Sequence, residues 1–451
     1  MRILFAAHQF FPEHYAGTEV LTLGLAKELK ARGHETYVFA AKRSTPVHDL
    51  QPGETEDYEF EGIPVRRVGR PGEGLSRSYR LDYENEFMAR RAREYAREVE
   101  PDVIHAMHFQ GLSASVIPAF KEFGVPVVYT ATDFWAVCPV VDLSRHDGVM
   151  CEGPEPTHCI RCIASRHQGS RLEAVVRRTP DAALRAAGTL SRTPLARYAR
   201  PLREVRAIEE RPRHIREKLK SLDRIIAPTR LTRDLLTANG VEAGKMEVSH
   251  YGIDTSGVAG TPRNRSVPPP LRVGFIGTLA PHKGCDLLIE AFKSLPPELG
   301  ASLTIYGNLE RFKRFVGKLR RMAADDERIT FAGTFPPEGI GAVLTEMEVL
   351  VVPSRWYENT PLVVYSAFAA GTPVVATNLG GLSEVVKHEE NGMLFELENA
   401  EGLAKQLRRL GGESGLLERL RAGIGPVKTV EENAAELEAL YEGLRGEGFR
   451  A

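Results

Sequence analysis

The residues in this chain best suited to chemistry stand where short apolar runs give way to helix-forming stretches. In RWYENTPLVVYSAFAAGTPVVAT a buried-strand run ends just before Glu358, which is followed at once by Asn359, Thr360 and Pro361. Proline fits the first turn of a helix, where its missing N–H is one of the groups left unbonded anyway. The spacing therefore predicts a helix starting near Thr360 or Pro361. It puts a carboxylate able to accept hydroxyl hydrogen bonds beside free backbone donors, a pairing suited to a sugar next to a diphosphate. A glutamate that merely favours the helix dipole explains the position but not the company it keeps. Two more loops have related chemistry. GTLAPHKG, residues 277–284, sets the compact cation of Lys283 just before another helix. HQFFPEHYAGT sets Gly17 before a helix, where the absent Cβ lets an anion approach backbone N–H groups. Taken alone, a solvated lysine and a plain turn glycine explain these two equally well.

Other reactive side chains gather between the first loop and the middle of the chain. His105 and His108 in DVIHAMHFQGLS mark a strand end and could touch an acceptor, although a satisfied structural histidine fits the same place. Cys138, Cys151, Cys159 and Cys162 fall within 25 residues, while Cys285 stands apart. The C-x2-C pair with two upstream cysteines could supply four thiolates to a structural zinc that braces the loop after Trp135; free thiols are the alternative. From Arg171 to Arg224 there are 15 Lys or Arg against 7 Asp or Glu, so this stretch is about +8 and the remainder about −9. LARYARPLREVRAIEERPRHIREKLK within it reads as helical except at Pro201 and Pro212. One reading of residues 171–224 is a peripheral membrane surface that meets anionic lipid head groups; the other is a solvated face with internal ion pairs.

The elements that must position these groups alternate between short β-branched runs and longer amphipathic stretches, the pattern of parallel sheets covered by helices. Ile3 to Ala7, Thr36 to Ala41, Val103 to Met107 and Pro126 to Ala131 read as strands. Glu19 to Arg32 reads as a helix stopped at Gly33, and Gly111 to Phe123 as a crossover. A second series opens at Leu271, with a helix near Asp286 to Ser294 and strands at Leu303 to Tyr306, Ile329 to Ala332 and Val349 to Val352. Between the two series TSGVAGTPRNRSVPPP breaks both helix and strand. The division expected is a first domain of residues 1–258 with a basic helical insertion at about 165–224, a linker at 259–270, a second domain at 271–425, and residues 426–451 forming a helix that packs back on the first domain. In open α/β sheets ligands sit beyond the carboxyl ends of the strands, where all three loops lie.

Composition closes off several classes. With 451 residues, 42% apolar and 26% charged, the chain is long enough for two folded domains. A net charge of −1 argues against a general nucleic-acid binder, which depends on counterion release from clustered positive charge. No run of 18 apolar residues occurs and the N-terminus lacks the parts of a secretion signal, so the expected location is cytoplasmic, with any contact at the inner membrane face peripheral. No Asp-x-Asp pair, an arrangement able to hold a divalent ion, occurs.

Taken together, YAGTE, DFWAVCP, GTLAPHKGCDLLIEAF, ENTPLVVYSAFAAGTPVVAT and NLGGLSEVVKHEENGMLF make the chain resemble, over nearly its whole length, the retaining glycosyltransferases of family 4, also called glycosyl transferases group 1. The resemblance implies the GT-B fold: two Rossmann-like doubly wound domains facing each other across a cleft, with a C-terminal helix crossing back. It implies a nucleoside-diphosphate sugar as donor, a hydroxyl of a glycan or lipid-linked acceptor, a role in surface polysaccharide or glycoconjugate synthesis, and no catalytic metal. Gly17 and Lys283 match the diphosphate contacts, and Glu358 matches the first of the family's paired glutamates, facing the donor sugar. Thr360, Pro361 and Leu362 match the helix start beside the phosphates, and Gly307 and Gly333 stand where the nucleobase would lie. Three positions depart from the family. Ser366 replaces the second glutamate, which holds ribose hydroxyls; Thr278 replaces an arginine of the donor loop; and Thr132, on the acceptor side, replaces the histidine of His-Asp-x-Trp. Asp133 is retained, and its expected role is to orient the acceptor or to support charge at the sugar ring; capping of the next turn is the bland alternative. A sugar-nucleotide epimerase or phosphorylase on the same plan, and a catalytically silent glycan- or nucleotide-binding protein, are the alternatives.

Overall fold

Arg2–Ala7 is inaccessible along nearly its whole length, as a strand covered by helices on both faces must be, and it forms β1. Seven more strands complete its sheet: β2 Glu35–Lys42, β3 Thr55–Phe60, β4 Ile63–Gly69, β5 Val103–Ala106, β6 Val127–Thr130, β7 Arg224–Ala227 and β8 Met246–Val248. The order is β3-β4-β2-β1-β5-β6-β7-β8, with β3 alone antiparallel to its neighbour. The structure, a computed structural model, describes every residue except 15, 43–52, 71–77, 167–168, 259–269, 360 and 449–451. The helix Gly17–Ala31 turns Leu21, Leu25, Ala26 and Leu29 onto the sheet, and Gly33 at φ +92° lets the chain reverse into β2. Because β2 and β5 flank β1 on opposite sides, the connections reverse direction between β1 and β5, which is the switch point where open sheets bind ligands. The edge strand β3, TEDYEF, carries three acidic residues and no fully buried position, so it lacks the apolar run that marks a buried strand.

The insertion after β6 is helical: Pro156–Ser165, Arg171–Arg178, Asp181–Ser191 and Arg200–Leu219. Pro201 sits in the first turn of the last of these, but Pro212 does not break it. A tertiary anchor overrides the local penalty. Arg211, fully buried beside Pro212, donates to the carbonyls of Trp135 and Val137 and lies 4.9 Å over the Trp135 ring.

The chain separates into two units, Met1–His250 with Glu431–Ala451, and Tyr251–Val430. Residues 251–258, expected in the first domain, belong to the second unit because Ile253 pairs with the backbone at Lys428 and Val430. The linker expected at 259–270 lies, except for its last residue, outside the described residues. In the first unit the helix Val430–Gly448 buries Ala434, Leu437, Tyr441 and Leu444, one face at helical spacing. The second unit carries a six-stranded, wholly parallel sheet of β9 Arg272–Ile276, β10 Ser302–Tyr306, β11 Ile329–Gly333, β12 Val349–Val352, β13 Val374–Thr377 and β14 Gly392–Phe395. Its order, β11-β10-β9-β12-β13-β14, reverses between β9 and β12. Val273, Phe275, Leu303, Ile305, Val349, Val351 and Val375 fill the core between this sheet and the helices Cys285–Lys293 and Ala400–Gly412.

Candidate active site

In the second unit the loops after β9 and β12, the two strands at its switch point, bring Lys283 and Glu358 together. Lys283 ends a turn of 3-10 helix, Pro281–Lys283, and Gly284 then takes φ +69° to open the helix Cys285–Lys293. Glycine is required there twice over, since a Cβ would stand 1.9 Å from the Pro353 carbonyl oxygen at the end of β12. Three donors meet on one oxygen of Glu358: Lys283 Nζ at 2.6 Å, Ser354 Oγ at 2.5 Å and Trp356 Nε1 at 3.0 Å. Burial pushes the Glu358 carboxyl up, but the Lys283 charge and these hydrogen bonds outweigh it and hold it below its ordinary range. Lys283 Nζ also lies 5.1 Å from the Trp356 ring, which packs against His282. Gly381 closes the back of the loop, where a Cβ would meet the Glu358 and Asn359 carbonyls.

The other expected donor-side residues spread around this pair. Thr278 is half-buried in the loop after β9, its carbonyl taking the Ala280 N–H. Gly307 and Gly333 are neighbours at the ends of β10 and β11, joined by the Gly307 N–H to Gly333 carbonyl bond at 2.8 Å. Pro361 caps the helix Leu362–Ala369 without a side-chain hydrogen bond; Thr360 lies outside the described residues. Ser366 is nearly buried one turn into that helix and donates its hydroxyl to the Leu362 carbonyl at 3.2 Å, so its proton is already used within the helix.

In the first unit the groups at the switch point come from four elements. His8 follows β1, Gly17 and Glu19 open the helix Gly17–Ala31, His108 lies beyond β5, and Asp133 beyond β6. Gly17 is exposed at its helix start. His108 Nδ1 accepts the Gln110 N–H at 2.8 Å, which leaves Nε2–H to donate to Asp133 Oδ2. The other Asp133 oxygen accepts the Trp135 N–H at 2.8 Å. Asp133 thus caps the turn and holds a histidine at once, with its side chain 23% exposed. The Thr132 hydroxyl donates to the Met107 carbonyl at 2.6 Å, tying the ends of β5 and β6. His105 is not with them. Strand alternation turns it into the core, where it is fully buried between Thr130 Oγ1 and the Tyr441 hydroxyl of the C-terminal helix. Burial drives its pKa down to about 3, so it is neutral. His8 and Glu19 belong to the cluster although spacing did not point to them; Glu19 directly after Gly17-Thr18 was the available signal.

The zinc expected of Cys138, Cys151, Cys159 and Cys162 has no cluster to hold it. The four line one small cavity with His158, but among the described residues no group of three or more His, Cys, Asp or Glu side chains could hold a metal ion. All four are free thiols, and Cys151 Sγ turns to the Gly153 carbonyl at 3.0 Å. Burial pushes Cys162 up to about 11 and Cys159 up to about 12. The basic stretch exposes Leu172, Val175, Leu190 and Tyr198 among its arginines, Val175 to 63% and Tyr198 to 76%. No helix among the described residues is long and apolar enough to cross a membrane.

Comparison with known proteins agrees with the two parallel-sheet units. Residues 16–252 match the glycosyl transferase 4-like domain, and residues 270–412 match glycosyl transferases group 1. The chain is 26% identical to a D-inositol 3-phosphate glycosyltransferase of Rhodococcus jostii over 90% of its own length and 79% of the relative's. It is 29% identical to the amylovoran biosynthesis glycosyltransferase AmsK of Erwinia amylovora over 45% of its length and 51% of the relative's. With other curated relatives, from Bacillus subtilis and Methanocaldococcus jannaschii, the match spans 44% and 36% of the relative. Among solved structures it resembles HepE of Anabaena in complex with UDP and glucose, at TM-score 0.62 and 17% identity over 98% of this chain and 99% of that one. Sucrose-phosphate synthase of Thermosynechococcus elongatus is similar at TM-score 0.66 and 17% identity, over 99% and 100%. Two parallel-sheet α/β units, each with its reactive groups at a switch point, and family matches that together span most of the sequence lead to one conclusion: the chain belongs to the glycosyl transferase 4-like, group 1 family of GT-B glycosyltransferases.

Proposed function

We propose that this glycosyltransferase moves a hexose-type sugar from a nucleoside diphosphate to a hydroxyl of a glycan or lipid-linked acceptor, with retention at the sugar carbon and without a catalytic metal. The observation that carries the reading is the Lys283–Glu358 pair at the switch point of the second unit. An ammonium neutralises diphosphate charge, and an ionised carboxylate beside it accepts sugar hydroxyls. The acceptor oxygen bonds to the sugar carbon as the bond to the diphosphate oxygen breaks on the same face, and the acceptor proton passes to the departing diphosphate. Such a step needs groups that position and stabilise charge, and no protein nucleophile. Gly17, Thr278, Gly307, Gly333, Pro361 and Leu362 serve the donor, and Thr132 and Asp133 serve the acceptor. Ser366, whose proton goes to the Leu362 carbonyl, keeps its lone pairs to accept a ribose hydroxyl. A lipid-linked acceptor accords with the exposed apolar residues among the arginines of 171–203.

UDP sugars are the first donors to test, because HepE was solved with UDP-glucose. A thermal-shift screen of nucleotide sugars, followed by hydrolysis and transfer assays, tests the reading. The expected result is one donor that stabilises the protein and is turned over faster with acceptor than without, while Glu358→Gln binds the nucleotide but turns over about a hundredfold more slowly. Donor turnover with no acceptor dependence would point to an epimerase, and tight binding without turnover to a silent binding protein.

A further inference from the structure

The first unit buries a carboxyl that the proposed reaction does not use. Glu19, at the third position of its helix, is fully buried, and neither of its oxygens completes a well-formed hydrogen bond. A carboxyl in that state costs folding free energy that an alanine would not. Around it, among the described residues, stand its own backbone N–H, the Ala16 backbone, the Gln9 side chain, His108 and His8, whose Nε2 lies 3.3 Å from Oε1. His8 in turn packs its ring against His108, centroids 4.2 Å apart, and His108 donates to Asp133. A continuous row therefore runs Glu19, His8, His108, Asp133 across the switch point, linking the helix start and the ends of β1, β5 and β6. Tyr129 and Asp142 are further titratable groups near Asp133. Buried at the Glu19 end and part-exposed at the Asp133 end, the row leads toward solvent.

We propose that Glu19 and His8 are positioning residues of the acceptor side, holding the His108 ring in the orientation and protonation that present the Asp133 carboxylate to the acceptor hydroxyl. The proposal rests on the transferase reading for its ligand, but the coupling along the row can be measured without it. Burial favours the protonated form of Glu19, which suits a group that hands a hydrogen bond to a neighbouring imidazole. His8 passes its constraint to His108 by ring contact, and Gln110 fixes the far nitrogen.

The test uses full-length protein labelled with nitrogen-15 in histidine, as wild type, Glu19→Gln and His8→Phe, with His8→Asn should the phenylalanine variant not fold. Wild-type His108 is expected to give the tautomer protonated at Nε2, and Glu19→Gln to shift its ring nitrogen-15 resonances and tautomer ratio. In transfer assays Glu19→Gln is expected to lower kcat about tenfold and to shift the pH profile, with the donor KM changed less than about twofold. Combining it with Asp133→Asn should cost less than the product of the two single losses. A Glu19→Gln protein with unchanged His108 ring nitrogen-15 resonances overturns the proposal, as does one with wild-type kcat and pH profile, whatever its melting temperature. If no nucleotide sugar is turned over by wild type, the transferase reading fails, and the histidine nitrogen-15 spectra still decide the coupling.

Discussion

Lys283 and Glu358 are 75 positions apart, yet each is the other's main electrostatic partner, and that interdependence has a measurable sign. Removing the ammonium leaves a carboxylate almost out of reach of water, so Lys283→Ala is expected to lower the stability of the second unit by about 2–3 kcal/mol. Adding Glu358→Gln should restore much of that loss, since a neutral amide tolerates the site; denaturant unfolding of both proteins checks it. The Glu358 carboxyl sits below its ordinary value of 4.5 when folded, so its contribution is complete above that pH and is lost as pH falls through the lowered value. Glu358 itself was legible in the sequence because a carboxylate, an Asn-Thr-Pro start and a strand end fell within a few residues. Its pairing was not, since nothing local to either loop sets the distance between them. His105 and His108 illustrate the same limit: three positions apart, one lies inside the sheet and the other beyond its end, and residue type does not say which. The cysteines marked a real convergence on one cavity, but spacing could not tell a shared cavity from a set of ligands.

Strands and helices set these distances through a few tight passages. The Gly284 turn is one: adding a methyl there demands both a left-handed backbone for alanine and the space held by the Pro353 carbonyl. Gly284→Ala should shift the Lys283 loop and weaken nucleotide-sugar binding about tenfold or more, readable by calorimetry, while the fold of the first unit is untouched. The long helix Arg200–Leu219 makes the opposite point. A proline inside a helix costs roughly 3 kcal/mol against alanine, and here the Arg211 anchorage on Trp135 keeps the helix continuous regardless. Pro212→Ala is therefore expected to raise the melting temperature, whereas Arg211→Met should lower it by leaving two carbonyls unanswered. Propensity correctly marked Pro212 as a weak point, and packing decided the outcome. On the basic insertion, Val175→Asp with Leu172→Asp should reduce sedimentation with vesicles containing anionic lipid and leave transfer to a soluble acceptor unchanged.

Across the whole chain, the alternation of buried runs and amphipathic stretches was enough to read two parallel sheets, because strands covered on both faces are apolar almost throughout. The edge strand β3 escaped because it is acidic and only half-buried, and the exact division of the chain escaped because it depends on pairing at Ile253 rather than on composition. His105 gives the first unit an acid limit. Neutral when folded with a pKa of about 3 against an ordinary 6.5, it takes up a proton only on unfolding, so stability is complete above pH 6.5. The His105 contribution is lost progressively as pH falls from 6.5 toward 3. His105→Gln should flatten that slope, measured by unfolding at several pH values. The tyrosine that covers His105 arrives 336 residues later, on a helix that returns to the first unit after the second has been traversed. On a translating ribosome, then, the first unit is begun first and finished last: its β5 histidine waits uncovered while the whole of Tyr251–Val430 is made, and the second unit is free to fold ahead of the one that precedes it.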